Sequence, residues 1–383
     1  MNNEKIIIIG PVYPYKGGIA HYTSLLYQEE KKKYDTDLIS YKMQYPRLLL
    51  KREQKDYAND LFKIEEAQFL INTANPFNII SIANIIKKKK PKAIIIQWWH
   101  PYFAPCYIIL TKILKKRTNI IFVCHNVFPH ERFPMDRFLT KMTLKNGNGF
   151  IVHSENDKKD LYSIKEDANV RKNPHPTYNM FAMSNLTRSE SRNIICEKDR
   201  FDIETDTKLL LFFGFVREYK GLKNLLKAMP LIVEKIEDCK LMIVGSFGDD
   251  KNDYIHMIEE LNLSNYIFIR DEYTPDNEVE KYFVASDIVV LPYEDATQSG
   301  VVQTAFGLNR PCLVTNVGGL PEVVTDGKTG YVVEAHNPAA ISEAVVDFYT
   351  NNRNEYMIDC INSEKDRFSW KHMSETIDLL INN

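Results

Sequence analysis

Chemistry-bearing side chains gather at a few points along the chain. Three histidines close β-branched runs. His125, followed by Asn126, comes after Asn119–Cys124; His153 ends Gly149–His153; His100 sits in Gln97-Trp-Trp-His-Pro-Tyr-Phe. Parallel sheets bind ligands at the carboxyl ends of their strands, so these imidazoles either meet a substrate or pin neighbouring backbone. Their spacing is not that of a metal cluster. The first apolar run leads into Gly10-Pro-Val-Tyr-Pro-Tyr-Lys-Gly17-Gly18-Ile-Ala-His21, with a helix expected next. Paired glycines at a helix start let backbone N–H groups approach an anion, aided by the helix dipole; the same pair also makes an ordinary tight turn. The string is neither G-x-G-x-x-G nor a P-loop lysine motif, which argues against dinucleotide or ATP binding.

In the second half, Phe213-Gly214-Phe-Val-Arg217-Glu-Tyr-Lys220-Gly221 joins a strand to an amphipathic helix carrying Leu222, Leu225, Leu226 and Met229. Arg217 and Lys220 beside the helix start suit a diphosphate, or else form a solvated turn. Further on, Asp287-Ile-Val-Val-Leu runs into Pro-Tyr293-Glu-Asp-Ala-Thr297-Gln298-Ser299-Gly300-Val301. Ser299-Gly300 opens a helix expected to reach Leu308. After Pro311, a short strand leads to Thr315-Asn-Val-Gly318-Gly319-Leu-Pro321-Glu322, where Pro321 suits a first helical turn. Two such turns at one sheet edge would aim N–H donors at one anionic ligand. Asp35-Thr-Asp37, after Lys31–Lys33, reads as a solvated loop at a helix end.

These residues must be positioned by alternating strands and helices. Buried β-branched runs occur at Lys5–Ile9, Ala93–Gln97, Asn119–Cys124 and Gly149–His153. They recur at Leu209–Phe213, Lys240–Val244, Tyr266–Ile269, Ile288–Leu291, Cys312–Thr315 and Tyr331–Val333. Continuous apolar runs separated by helical patterns indicate parallel sheets covered on both faces. A chain of 383 residues is too long for one ordinary core and fits two domains. The polar stretch Lys172–Lys208, with Pro174 and Pro176, places the boundary near residue 190. Two doubly wound α/β domains facing each other across a cleft are expected. The last apolar pattern, Trp370, Met373, Ile377, Leu380 and Ile381, is a helix that either extends the second domain or crosses back to the first.

The net charge of −2 hides a split. Residues 1–190 hold 30 Lys+Arg against 18 Asp+Glu, or +12, whereas residues 191–383 hold 19 against 33, or −14. Such halves meet different ligands or surroundings. Six dispersed cysteines without a CxxC pair fit a reducing interior better than zinc or disulfides. The N-terminal isoleucine run is too short for a signal peptide, and no window suits a membrane span. A cytoplasmic protein is expected.

Taken together, Gly17-Gly18-Ile19-Ala20, His125-Asn126, Gly214 to Lys220-Gly221, Gln298-Ser299-Gly300-Val301 and Gly318-Gly319-Leu-Pro-Glu322 resemble the retaining family 4 glycosyltransferases of the GT-B fold. The strings fall in the family's order over nearly the whole chain. The resemblance implies an acceptor-binding domain over 1–190, a nucleotide-sugar-binding domain over 191–360, and a helix over 361–383 packing back on the first domain. It assigns Lys220 to the donor diphosphate, His125 to the donor sugar, and Gly17 and Gly18 to the loop over the phosphates. Gly214, Gln298, Ser299, Gly300, Val301, Thr304 and Glu322 join them on the donor side; His100, Asn126 and His153 fall on the acceptor side. Arg217 stands two residues past the family's arginine position, which Phe215 occupies, and is expected to shift into that role. The family's two glutamates, counted back from Pro311, are replaced by Thr304 and Ala296, so the ribose contact must change. The chain resembles a subgroup carrying Ala-Thr-Gln-Ser-Gly-Val there, with Gln298 and Ser299 meeting the sugar or the phosphates.

The activity so implied is retaining hexosyl transfer from a nucleotide-sugar to a lipid-linked or surface-polysaccharide acceptor, without metal or other cofactor. The alternative is a catalytically silent nucleotide-sugar-binding subunit of a partner transferase. Lys87–Lys90, Lys112, Lys115, Lys116 and Arg117 bracket the apolar stretch Tyr102–Leu114, with Trp98 and Trp99 nearby. This pattern suits peripheral contact with the anionic inner face of a membrane, or equally a buried helix with a solvated lysine edge. No RNA- or DNA-binding signature accompanies the lysines, so nucleic acid is not an expected partner.

Overall fold

Continuous apolar strands need cover on both faces, and each sheet receives it from helices. The computed structural model describes residues 4–49, 53–57, 60–129 and 133–382. In the first part of the chain the strands are β1 (Lys5–Ile9), β2 (Asp35–Met43), β3 (Gln68–Asn72), β4 (Ala93–Trp98), β5 (Asn119–Cys124), β6 (Gly149–Val152) and β7 (Val170–Lys172). Between them lie α1 (Gly18–Glu30), α2 (Pro76–Lys89), α3 (Ala104–Leu114), α4 (Asp136–Leu144) and α5 (Glu155–Tyr162). The strands form one parallel sheet in the order β3-β2-β1-β4-β5-β6-β7.

The second sheet has six parallel strands: β8 (Lys208–Phe213), β9 (Cys239–Val244), β10 (Ile267–Arg270), β11 (Ile288–Leu291), β12 (Cys312–Thr315) and β13 (Gly330–Val333). Its order is β10-β9-β8-β11-β12-β13. It is dressed by α6 (Arg188–Asp199), α7 (Leu222–Val233), α8 (Lys251–Glu260), α9 (Val279–Ala285), α10 (Gly300–Gly307), α11 (Leu320–Val323), α12 (Pro338–Thr350) and α13 (Arg353–Ser363). The last helix is α14 (Trp370–Ile381). In both sheets the strand order reverses at one point, between β1 and β4 and between β8 and β11, which is where doubly wound sheets open a ligand crevice.

The chain divides into two compact units, residues 1–174 with 368–383, and residues 175–367. The boundary thus falls before, not near, residue 190, because the polar stretch there is built into the second unit. The Tyr178 N–H donates to the Gln303 carbonyl (3.3 Å), and the Ser184 and Leu186 N–H groups donate to the Glu280 carboxylate (2.8 and 3.1 Å). A Thr187–Glu190 capping box then starts α6. At the other end, residues 361–367 stay with the second unit and only Phe368 onward joins the first. Met373, Ile377, Leu380 and Ile381 of α14 bury beside Tyr22 and Leu26 of α1. Asp378 of α14 accepts from Tyr34 Oη (2.7 Å) and Lys33 Nζ (2.9 Å). The units carry 30−19 = +11 and 19−32 = −13 formal charges.

Three strands go beyond the sequence expectation: β2, β3 and β7. Asp35-Thr-Asp37 is not a solvated loop. It is the start of β2, where Lys5 Nζ pairs with Asp35 (2.7 Å) and Lys89 Nζ with Asp37 (2.8 Å). Those carboxylates lie at the amino end of the strand, the edge away from ligands. Two acidic residues and an internal serine and lysine disguised a strand whose Leu38, Ile39 and Tyr41 are buried.

Candidate functional site

The strongest constellation lies where the second sheet reverses its order. The β8 strand ends at Phe213, and Gly214 takes φ +99, a conformation that side-chain-bearing residues rarely adopt. The turn brings Lys220 back over it: a Cβ on Gly214 would lie 3.1 Å from Lys220 Nζ and 3.8 Å from Val301 Cγ2. So Gly214, Lys220 and Val301, distant in sequence, meet at one point. The Lys220 ammonium stands 5.6 Å from the Tyr293 ring centroid, and the Tyr293 hydroxyl is bonded to Ser299. Ser299 is the N-cap of α10, whose first N–H groups have no acceptor within the helix. Burial, reinforced by the charge of Arg217, pushes the Lys220 pKa down to about 8. Arg217 donates to the Val216 carbonyl (3.1 Å), lies 5.9 Å from the Phe215 ring centroid, and approaches Gly248. It therefore stands next to Phe215, the residue that the resemblance sets at an arginine position.

A second loop braces this one. Gly318 takes φ +51, and a Cβ there would fall 1.4 Å from the Ala296 carbonyl oxygen. Its neighbour Gly319 donates its N–H to the Thr297 carbonyl (3.0 Å). The Gly318-Gly319 turn, expected to aim donors at a ligand, thus spends the Gly319 donor on holding residues 296–297. Pro321 sits in the first turn of α11, as its ring favours, and Glu322 on the same short helix gives its carbonyl to Arg367 (2.5 Å). Thr304 is buried and its hydroxyl donates to the Gly300 carbonyl (3.0 Å), while Ala296 is buried as well. Gln298 is half-buried in the loop ahead of α10. Glu294 accepts from Asn224 Nδ2 (2.8 Å) and lies 3.5 Å from His336 Nδ1.

The carboxyl edge of the first sheet is built from imidazoles and amides held by their neighbours. His125 Nε2 pairs with Gln97 Oε1 (2.8 Å) at the end of β4, and its ring meets Tyr22 edge-on at 4.7 Å. Tyr22 lies one turn into α1, the helix that the exposed Gly17-Gly18 pair opens. His153 packs 5.7 Å from His125, and its Nδ1 pairs with the Asn173 carbonyl (2.8 Å). Burial lowers its pKa to about 4, against the pull of that carbonyl, so it stays neutral and pins backbone. His100 accepts the Tyr102 N–H (3.0 Å) through Nδ1 and stacks against Phe133. Asn126 follows His125, half-buried. Sequence reasoning did not single out Gln97, Tyr22 or Tyr293. Gln97 had a signal: a glutamine inside an otherwise apolar strand needs a buried partner.

Among the described residues, no group of three or more His, Cys, Asp or Glu is placed to hold a metal ion, and no helix is long and apolar enough to cross a membrane.

Comparison with known proteins agrees with this geometry. Residues 195–367 match the family model described as Glycosyl transferases group 1. D-inositol 3-phosphate glycosyltransferase of Corynebacterium glutamicum (strain R) is 24% identical over 257 residues, 64% of this chain and 60% of that protein. The chain spans about half the length of the curated relatives it matches. Among solved structures, sucrose-phosphate synthase from Thermosynechococcus elongatus superposes with a TM-score of 0.73 at 15% identity, covering 99% of this chain and 98% of that one. The Anabaena protein HepE, in complex with UDP-glucose, gives a TM-score of 0.74 at 12% identity over 99% and 100%. The two Rossmann-like, parallel-sheet α/β units are those of GT-B glycosyltransferase structures.

Proposed function

We propose that the protein is a retaining glycosyltransferase that moves a hexosyl group from a nucleotide-sugar to a lipid-linked or surface-polysaccharide acceptor at the cytoplasmic face of a membrane. The observation that carries this reading is the convergence of Lys220, Gly214 and the α10 N-terminus at the reversal point of the second sheet. A cation and free N–H groups there offer a diphosphate its charge complement within a unit of net charge −13. Support also comes from residues 195–367, which match a glycosyltransferase model. A uridine nucleotide is the first donor to test, because HepE binds UDP-glucose.

Transfer with retention breaks the C1–O bond to the diphosphate and forms a C1–O bond to the acceptor on the same face of the sugar. The acceptor's proton passes to the departing phosphate oxygen, so no protein base is needed. Lys220 and Arg217 stabilise the charge that grows on that oxygen, and no metal or other cofactor takes part. His125, held by Gln97 and Tyr22, positions the sugar. Gly17-Gly18 serves the donor phosphates, and Asn126 and His100 serve the acceptor. A thermal-shift screen against UDP-, GDP-, ADP- and dTDP-sugars tests the reading, since a bound donor raises apparent stability. Lys220→Ala should abolish the shift.

A second reading, a nucleotide-sugar-binding subunit without catalysis, draws on Thr304 and Ala296. Both are buried where the resemblance calls for glutamates, and Thr304 donates its proton to the Gly300 carbonyl. Donor binding without release of nucleoside diphosphate, with any acceptor, would establish it. Chelation with EDTA should leave activity intact in the first reading.

A further inference from the structure

The first unit has one surface whose composition its own fold does not explain. Between Glu66 and Glu131 the chain contains 64 residues with no Asp or Glu and with nine Lys or Arg. That stretch includes α2 and α3, and α3 packs between α2 and α4 over one side of the sheet. The inward side of α2 is ordinary: Ile79, Ile82, Ala83 and Ile86 join the core. Its outward side is not. Phe77 is 81% exposed, and Ile80 and Ile85 about 40% each. Across the layer, Met135 and Phe138, at the start of α4, are 64% and 57% exposed. Asp136, between them, is buried.

Exposed lysines lie on the same three helices: Lys88 and Lys90 at the end of α2, Lys112 and Lys116 on and after α3, and Lys141 on α4. Of the two readings of Tyr102–Leu114, membrane contact or a buried helix with a solvated lysine edge, the second fits: the stretch is largely core, with Phe103, Tyr107, Leu110 and Leu114 buried and Trp98 fully enclosed. The apolar side chains that face water come from the helices on either side of it.

We propose that the outer face of α2, α3 and α4 docks on an anionic lipid bilayer, with Phe77, Ile80, Ile85, Met135 and Phe138 entering the headgroup boundary and the lysines meeting lipid phosphates. The identification deepens the reading of the acceptor as lipid-linked and rests on it. Charge complementarity selects the occupant. Large apolar groups spread over two helices, with cations of one sign among them, match a broad, negatively charged, apolar-edged plane. A protein partner with its own mixed charges would leave much of that field unmatched.

Co-sedimentation of the full chain with phosphatidylcholine vesicles, with or without phosphatidylglycerol, tests the proposal. Binding should require phosphatidylglycerol and weaken with salt. Lys88→Glu with Lys116→Glu should weaken it by about tenfold or more. Phe77→Ser with Phe138→Ser should weaken it comparably, whereas Lys31→Glu with Lys32→Glu, at the end of α1, should not. Phe77→Trp should show a blue-shifted emission on these vesicles, and melting curves of every variant check that the fold is kept. Binding indifferent to phosphatidylglycerol, binding unchanged by the α2 and α4 substitutions, or an unshifted Phe77→Trp emission would each overturn the docking face. So would self-association without lipid that the same substitutions abolish. Nucleotide-sugar thermal shifts should persist in all variants. If the unmodified chain shows none while vesicle binding holds, the transferase reading fails and the docking face stands.

Discussion

The two sheets use one architecture for opposite electrostatic ends. The first unit carries +11, yet its carboxyl edge presents imidazoles held by Gln97, by the Asn173 carbonyl and by the Tyr102 N–H. The second carries −13, yet its carboxyl edge gathers Lys220 and Arg217 beside a helix start. The contrast extends to the interior. The basic unit buries an acid, Glu30, with no exposed surface, and the acidic unit buries the cation Arg192. A unit's total charge therefore says little about what its ligand edge holds. Charge spread over a surface is screened within about 8–10 Å, whereas a cation sheltered next to its ligand is not. The surplus lysines of the first unit lie elsewhere, on the helices that cover the sheet.

The largest expected effect tests the cationic edge. Lys220→Ala should cost roughly 10²–10³-fold in turnover, the loss seen when one preorganised donor to a developing charge is removed, and it should erase the donor's thermal shift. His125→Ala should lower turnover while leaving that shift in place; equal loss of the shift would collapse the distinction between the two edges. The Lys220 pKa of about 8 adds a sign. Donor affinity should fall as pH rises through that value, because the neutral amine no longer attracts phosphate. Arg217→Ala removes a repelling charge and should move this alkaline limb upward, read from Kd against pH.

Next comes the brace behind that edge. Gly318→Ala forces a side chain into the Ala296 carbonyl at positive φ and should cost about 3 kcal/mol in denaturant melts. Donor binding should weaken along with stability, since residues 296–297 lead into the α10 cap. Glu30 then tests the other interior. Burial raises its pKa from 4.5 to about 8, so the folded state holds a proton that the unfolded chain has released. Stability of the first unit should fall as pH rises from about 4.5 to 8. Glu30→Gln should flatten that slope and add on the order of 1–3 kcal/mol at the alkaline end. The smallest effect belongs to His100→Ala, about 1 kcal/mol for one lost hydrogen bond to the Tyr102 N–H, with the donor shift unchanged.

Ten of the thirteen strands were legible as apolar runs, because a strand buried on both faces has no polar positions to interrupt it. Asp35–Met43 escaped because its first residues form ion pairs at the sheet's edge, and Gln68–Asn72 because it is short and half-covered. The domain boundary was misplaced by the opposite error. Polar, proline-bearing sequence looks like a linker, but backbone N–H groups within residues 175–187 donate to the Glu280 carboxylate of α9 and the Gln303 carbonyl of α10, which no local pattern reveals. Among the candidate site residues, Gly214, Lys220 and Ser299 were legible as turn and helix-start chemistry, and Val301 only through the resemblance. Thr304, in contrast, looked available in sequence and donates its hydroxyl within its own helix.

What the sequence alone determined is local: which runs are strands, where glycines and caps start helices, and how charge divides along the chain. Those properties follow from backbone sterics and side-chain type within a few residues. The tertiary structure decided everything that depends on distant neighbours. It brought Lys220 over Gly214 and beside Val301, gave His125 the Gln97 carbonyl oxygen, enclosed Glu30, and turned Phe77 and Phe138 outward. Burial and proximity set pKa values, hydrogen-bond satisfaction and exposure, and these are properties of the packed chain.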